Sequence, residues 1–118
     1  MDLELREKVM AELERAGRAR RRGNEGQARV CARRAAGWSL QAYYRLRTGQ
    51  PSPESALSLL RWYRSDPTAP EPLRRAAERL TARVTEAFRL PHAEDPLRDA
   101  CHIVEAHLGL EGAGGAEQ

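Results

Sequence analysis

The side chains best suited to proton transfer lie near the C-terminal end of the chain, in a segment with the pattern of a helix. Arg98, His102 and Glu105 follow the spacing i, i+4, i+7, which places them on one side of that helix. An arginine that holds a phosphate, a histidine that moves a proton and a carboxylate that orients the histidine would together suit RNA cleavage. A solvated charged face has the same spacing, so both interpretations stay open.

A second arginine–histidine pair, Arg89 and His92, flanks Pro91 in a predicted loop. Loops carry binding and catalytic residues more often than their share of the chain, which makes this pair a second catalytic candidate. The alternative is a cation that interacts with the C-terminal end of the preceding helix.

Metal or cofactor chemistry is not expected from this sequence. His102 and His107 point about 140° apart around a helix, so they cannot hold one ion from the same face. Cys31 and Cys101 fall on predicted inner faces, where cysteine acts as a small apolar residue. The short stretch Gly23–Gly26 lacks the Lys-Ser or Lys-Thr that follows a phosphate loop. We therefore predict no metal site and no cofactor.

Arginines cluster at the end of the first predicted helix, at Arg18, Arg20, Arg21 and Arg22. The chain has 20 Lys+Arg against 17 Asp+Glu, a formal net charge of +3, and Lys8 is its only lysine. Arginine binds carboxylate and phosphate bidentately, so the cluster is a candidate site for a nucleic acid or another anion. The alternative is a solvated helix end whose cations interact favourably with the helix dipole.

The elements that must position these residues are all helical. Ala, Leu, Arg and Glu dominate the composition, as helices prefer, and aromatic and β-branched residues are few. Apolar residues with helical periodicity predict five helices, at about 3–22, 24–47, 53–64, 73–88 and 96–108. Short connections between such helices predict an all-α, single-domain antiparallel bundle over residues 1–110, followed by a flexible tail at 111–118.

Residues at the predicted helix ends support these bounds. The start signals combine a capping residue with a following proline or with Glu/Gln three positions on. They are Asn24 with Gln27, Ser52-Pro53, Thr68 with Glu71, and Asp95-Pro96. The predicted stops, where a left-handed glycine or a proline ends a helix, are Gly23, Gly49, Pro91 and Gly109.

The second predicted helix carries apolar residues on two sides. Opposite its broad inner face, Val30, Gly37 and Tyr44 form a narrow stripe because they are seven residues apart. Glycine in mid-helix costs about 1 kcal/mol relative to alanine, so we expect a close approach at Gly37. The stripe predicts a two-fold homodimer, with a polar rim at Arg33, Arg34 and Gln41. The alternative is that other helices of the same chain cover both sides.

The third predicted helix combines aromatic and cationic residues. Trp62 and Tyr63 lie between Arg61 and Arg64, a combination that favours single-stranded nucleic acid. The helical pattern places Tyr63 inside and Trp62 about a quarter-turn away, so packing between helices is the alternative.

The residues from Val30 to Tyr44, VCARRAAGWSLQAYY, resemble the signature helix of HEPN domains, small helical bundles associated with nucleotides and RNA. Small or apolar residues stand where that helix has them, at Cys31, Ala35, Ala36, Leu40 and Ala42. The resemblance continues through 83–91 and 95–104, which are similar to the last loop and the last helix of the family, and covers most of the chain.

This resemblance implies a helical bundle, frequent homodimerisation and an association with RNA cleavage, nucleotide binding or toxin–antitoxin pairs. Ribonucleases of the family carry an arginine, four to six residues and then a histidine, a spacing that no Arg–His pair of this chain has. We therefore expect a non-catalytic, HEPN-like module that is homodimeric and binds a partner protein, RNA or a nucleotide. The alternative is a HEPN-type ribonuclease or toxin component that uses a non-standard Arg/His pair.

The sequence also bears on location and partners. It contains no apolar run near 18 residues, so no membrane span is expected. The N-terminus has no apolar signal core and the two cysteines are too few for a disulfide framework, so we expect a cytoplasmic protein. The expected partners are a second copy of the chain, RNA, or a nucleotidyltransferase-like protein of a toxin–antitoxin pair.

Overall fold

The computed structural model describes residues 2–82 and 93–108, and in these two ranges the chain is helical without strands. The helices are α1 (Leu3–Arg21), α2 (Glu25–Trp38), α3 (Gln41–Thr48), α4 (Ala56–Tyr63), α5 (Glu71–Leu80) and α6 (Pro96–His107). The all-α bundle predicted from the sequence is confirmed. None of these helices is long and apolar enough to cross a membrane.

Helix α2 is the centre of the bundle, because α1, α4 and α6 all pack against it. Small side chains on its inner face allow these close approaches. They are Ala28, Cys31, Ala32, Ala35 and Ala36, all fully buried. Larger apolar side chains of α4, α5 and α6 fill the core beside them, including Leu59, Leu60, Leu80 and Ile103. The small-residue half of the predicted inner face is therefore confirmed, whereas Leu46, predicted on the same face, is 69% exposed.

The second helix predicted from the sequence is two helices, because the chain turns at Ser39 and Leu40. The amide of Leu40 donates to the carbonyl of Gly37 at 3.0 Å, and the hydroxyl of Ser39 donates to the carbonyl of Ala36 at 2.7 Å. Both bonds span three residues, so they tighten the last turn of α2 and interrupt its regular ladder. Side chains of α3 contact α4, where Tyr44 packs on Trp62.

Gly37 lies where α2 and α4 approach each other closely. A Cβ atom at this position would lie 2.5 Å from the Cα, Cβ and O atoms of Ala56. Contact with another helix of the same chain, the alternative to a contact between copies, therefore accounts for the glycine.

Two predicted caps are confirmed, at the starts of α2 and α6. The side chain of Asn24 accepts the amide of Gln27 at 3.0 Å, and that of Asp95 accepts the amide of Leu97 at 3.1 Å. Two glycines predicted to end helices have left-handed backbone, Gly23 with φ 82° and Gly49 with φ 71°.

The predicted start of the helix after Gly49 is wrong by a few residues. Helix α4 begins at Ala56, and its cap is Ser55, whose hydroxyl accepts the amide of Ser58 at 3.1 Å. The hydroxyl of Ser52 does not cap because it donates to the carbonyl of Pro53 at 2.9 Å.

The capping box predicted for the next helix is also wrong. Helix α5 begins at Glu71 without a side-chain cap, because the hydroxyl of Thr68 donates to Asp66 at 2.9 Å. The helix ends at Leu80. Residues 81 and 82 are not helical, so the predicted unbroken helix to residue 88 is wrong at this point. The remainder of that helix, the stops at Pro91 and Gly109, and the predicted tail lie outside the described residues.

Candidate nucleic-acid interface

Of the four arginines predicted to bind an anion at the end of α1, Arg20 is engaged within the chain. Its guanidinium donates to both carboxylate oxygens of Asp95, at 2.8 and 2.9 Å, and to both of Glu25, the shorter bonds at 3.0 Å. These bonds, above all the one to Asp95, raise the pKa of Arg20. The prediction is corrected for this residue: Arg20 joins α1 to Glu25, the first residue of α2, and to Asp95, the residue that caps α6. The exposed members of the cluster are Arg18, Arg21 and Arg22.

Arg98, His102 and Glu105 are exposed on α6, as their spacing predicts. Arg98 and His102 line a cavity of about 430 Å³ together with Arg79 and Asp99. Glu105 does not line this cavity, and no hydrogen bond joins it to His102 in the part of the chain that the structure describes. The arginine and the histidine are therefore brought together without the predicted carboxylate.

The second predicted pair, Arg89 and His92, lies outside the described residues. Within residues 2–82 and 93–108, no group of three His, Cys, Asp or Glu residues could hold a metal ion. Cys31 is buried and Cys101 half-buried, and burial raises the pKa of both thiols. A raised pKa disfavours the thiolate, the form that binds metals and attacks electrophiles.

The residues predicted to form a homodimer are divided between α2 and α3. They are Val30, Arg33, Arg34 and Gly37 on α2, and Gln41 and Tyr44 on α3. Contacts inside the chain use several of them: the Nε of Arg33 donates to the carbonyl of Leu80 at 3.0 Å, and Tyr44 packs on Trp62. Val30 is half-buried and Arg34 is exposed. The homodimer itself stays a prediction.

Four of the six aromatic side chains of the chain gather with a histidine between α3, α4 and α6. This α3–α4 aromatic cluster consists of Tyr43, Tyr44, Trp62, Tyr63 and His107. The rings of Tyr44 and Trp62 are T-shaped with centroids 4.8 Å apart. Aromatic pairs of this geometry contribute about 0.5–1.5 kcal/mol each beyond the area they bury. The rings therefore hold α3 against α4.

Tyr43 is fixed at one edge of the cluster by Asp66. The tyrosine hydroxyl donates to one carboxylate oxygen at 2.6 Å, and the amide and hydroxyl of Thr68 donate to the other at 3.1 and 2.9 Å. Burial acts to raise the pKa of Asp66, but these hydrogen bonds outweigh it and the pKa lies below its ordinary value. The ionised carboxylate also lies 4.0 Å from the Nε of Arg47.

His107 and Tyr63 form the buried end of the cluster. The Nε2 of His107 and the hydroxyl of Tyr63 are joined by a hydrogen bond of 2.8 Å. Burial lowers the pKa of His107 to about 4 and raises the pKa of Tyr63. Both side chains are therefore neutral near pH 7, and the histidine acts as a packed polar ring.

The outer side of α3 and α4 is basic. Four exposed arginines form what we call the basic rim: Arg45, Arg47, Arg61 and Arg64. Arg64 donates to the hydroxyl of Thr81 at 3.1 Å, whereas Arg61 has no partner among the described residues. Tyr44 and Trp62 are only half-buried, so part of each ring is accessible on the same two helices.

The positive charge of this region is not apparent from the net charge of the whole chain. Residues 26–65 contain seven arginines and a single acidic residue, Glu54. The arginines are Arg29, Arg33, Arg34, Arg45, Arg47, Arg61 and Arg64. The net charge of +3 conceals this stretch because acidic residues before and after it offset the sum. A count of charge in windows along the sequence is the signal that would have found it.

The contact between His107 and Tyr63 could not be predicted from the sequence. The two residues are 44 positions apart, and no pattern in the sequence links them.

Comparison of the chain with protein-family models, with curated proteins and with solved structures gives no match.

Proposed function

We propose that this chain is a non-catalytic, HEPN-like helical module, cytoplasmic and homodimeric, that binds single-stranded RNA through α3 and α4. The observation that carries the proposal is the stretch 26–65, with seven arginines and one acidic residue. Arginines of this density attract a phosphate backbone, because each phosphate contact releases a condensed counterion.

Accessible rings beside the basic rim support RNA over other polyanions. Tyr44 and Trp62 are half-buried, and Tyr43 and Tyr63 pack behind them. Stacking of a base on an aromatic side chain is worth about 1–3 kcal/mol and tolerates any sequence. Rings with arginines on the same helices therefore suit a single strand, whose bases are free to stack.

Two features of the histidines support a role without catalysis. His107 is buried and neutral, with its Nε2 hydrogen-bonded to Tyr63, so it does not reach a substrate. His102 follows Arg98 after three residues, a shorter spacing than that of HEPN ribonucleases.

A homodimer would place two basic surfaces in one particle. Of the predicted interface, only Gly37 is buried, whereas Arg34 is exposed and the other members, Val30, Arg33, Gln41 and Tyr44, are half-buried. Light scattering of the purified chain measures its mass. A monomer at high concentration would reject the homodimer but would not affect the RNA proposal.

Loss of two rim arginines is expected to weaken RNA binding. We expect Arg61→Gln with Arg64→Gln to raise the Kd for a labelled single-stranded RNA roughly tenfold at moderate salt. The slope of log affinity against log salt should fall by about 1.4, since each contact with a single-stranded phosphate contributes about 0.7. Fluorescence anisotropy over a series of salt concentrations measures both quantities.

The matched control removes the same charge at the other predicted anion site. Arg18→Gln with Arg22→Gln, at the exposed end of α1, should change the affinity much less. Equal losses in the two double variants would show general attraction and reject a site on α3 and α4. Salt-independent binding, or no binding by the wild type, would reject the proposal as a whole.

A ribonuclease is the second candidate, favoured by the cavity of about 430 Å³ that Arg98 and His102 line together. In this case His102→Ala is expected to abolish cleavage of single-stranded RNA, because the imidazole would move the proton and Arg98 would hold the phosphate. Gel analysis of a labelled RNA checks this. Equal decay with wild type and variant, including no decay, rejects the ribonuclease.

A further inference from the structure

Two arginines on successive turns of α2, Arg29 and Arg33, lie side by side and half-buried. The Nε of Arg33 donates to the carbonyl of Leu80, at the end of α5, with a length of 3.0 Å. The Nε of Arg29 is buried and has no hydrogen-bond partner. Among the described residues, neither guanidinium has a carboxylate partner.

Two other half-buried arginines among the described residues, Arg20 and Arg79, are neutralised by carboxylates. Arg20 is paired with two carboxylates, and Arg79 binds both oxygens of Asp99 at 2.8 and 2.9 Å. A cation partly removed from water is unfavourable unless an anion accompanies it. Burial lowers the pKa of Arg33, and the positive charge of Arg29 lowers it further. Within the described residues, Arg29 and Arg33 therefore lack the carboxylate partners that Arg20 and Arg79 have.

The C-terminal end of α5 offers a favourable contact to Arg33 but not to Arg29. Cations are favoured at the negative C-terminal end of a helix, and Arg33 bonds to the carbonyl of Leu80 there. Arg64 reaches the same end through the hydroxyl of Thr81. Arg29 makes no such contact, so its position calls for an acceptor that the described residues do not provide.

We propose that Arg29 and Arg33 bind a phosphate group. Each guanidinium presents five N–H donors in a planar fork that matches phosphate oxygens, and a phosphate has enough oxygens and charge for two such forks. Binding would supply the missing acceptor of Arg29 and relieve the repulsion between the two cations.

The phosphate can belong to a small molecule or to an RNA backbone. The small-molecule case goes beyond the proposed function, whereas the RNA case rests on it. In the RNA case the strand would continue from the basic rim, since Arg33 and Arg64 both contact the C-terminal end of α5.

The first test uses inorganic phosphate and thermal unfolding at pH 7. Replacing chloride by phosphate at equal ionic strength, at about ten times the Kd, should raise the Tm of the wild type by roughly 5 °C. Arg29→Gln with Arg33→Gln should lose this rise. If that pair fails to fold, Arg29→Gln alone replaces it, since Arg29 makes no hydrogen bond within the described chain.

The control is Arg74→Gln. Arg74 is also half-buried and its Nε also donates to a backbone carbonyl, that of Ala69 at 3.1 Å, but it has no second arginine one turn away. This variant should keep the response to phosphate. No rise in the wild type, or an equal rise in all variants, would overturn the proposal, the second result indicating a general salt effect.

Measurement of RNA binding distinguishes the phosphate site from the proposed function. If phosphate stabilises the chain through Arg29 and Arg33 but RNA does not bind, the phosphate site stands and the RNA function fails. If RNA binding needs Arg61 and Arg64 while Arg29→Gln with Arg33→Gln changes neither RNA affinity nor the response to phosphate, the RNA function stands and the phosphate site is rejected.

Discussion

Alanine at position 37 is expected to lower the free energy of unfolding by about 2–3 kcal/mol, although alanine is the better helix former. The added Cβ would lie 2.5 Å from three atoms of Ala56, two of them in the backbone of α4. A backbone cannot rotate away as a flexible side chain can, so α2 and α4 must move apart. Because both helices border the buried core, that movement also loosens its packing. Chemical denaturation followed by helical circular dichroism measures the change.

The matched control for this substitution is Gly17→Ala in α1. A Cβ there would meet only the guanidinium of Arg21, at 3.5 Å, so the better helix propensity of alanine should raise stability by up to about 1 kcal/mol. Adding Ala56→Gly to the Gly37→Ala variant should recover part of the loss, since the Ala56 Cβ is one of the three crowded atoms. A Gly37→Ala variant as stable as the wild type would contradict the close approach.

Acidification from pH 7 to pH 4 is expected to lower the free energy of unfolding by up to about 3 kcal/mol through His107. Its pKa is about 4 in the folded chain against 6.5 as the ordinary value, and the residue is 7% exposed. Between these pH values the unfolded chain binds the proton and the folded chain does not. The contribution is therefore fully present above pH 6.5 and is lost as the pH falls towards 4.

His107→Gln tests this sign and origin. The variant is expected to be less stable at pH 7, and its stability should fall less between pH 6.5 and pH 4 than that of the wild type. The exposed His102, replaced by Ala, is the control and should leave the fall unchanged. The pKa of Asp66 lies below its ordinary 3.8, so its contribution to the free energy of unfolding changes mainly at a lower pH than that of His107. Equal falls in wild type and His107→Gln would contradict the assignment.

Helix identity and inner faces were predictable because they depend on local periodicity. Ala28, Cys31 and Ala32 recur at helical spacing, and the structure buries all three. The turn at Ser39 and Leu40 was not predictable in this way. Neither residue is a strong breaker, and the turn is favoured by packing that only the folded chain has, the contact of α3 with α4.

In the candidate site, only features that depend on the position of a single residue in its helix could be predicted from the sequence. The positions of Tyr63 inside and Trp62 at the edge follow from the helical pattern, and both are confirmed. Whether an arginine is free or paired does not follow, because partners are distant in sequence. Arg20 looked like part of a phosphate-binding cluster, but one of its carboxylates is 75 positions away. The sequence did not single out Arg29, because its lack of a partner among residues 2–82 and 93–108 is a property of the fold.

The carboxylate of Asp95 serves two elements at once, since it accepts the amide of Leu97 and the guanidinium of Arg20. Serine at 95 would keep the cap of α6 but leave Arg20 with Glu25 alone, and lysine at 20 would keep the charge but lose the two-pronged geometry. Substitutions at positions 20 and 95 are therefore not independent events. We therefore expect positions 20 and 95 to change together in related chains, although neither lies on the proposed RNA-binding surface.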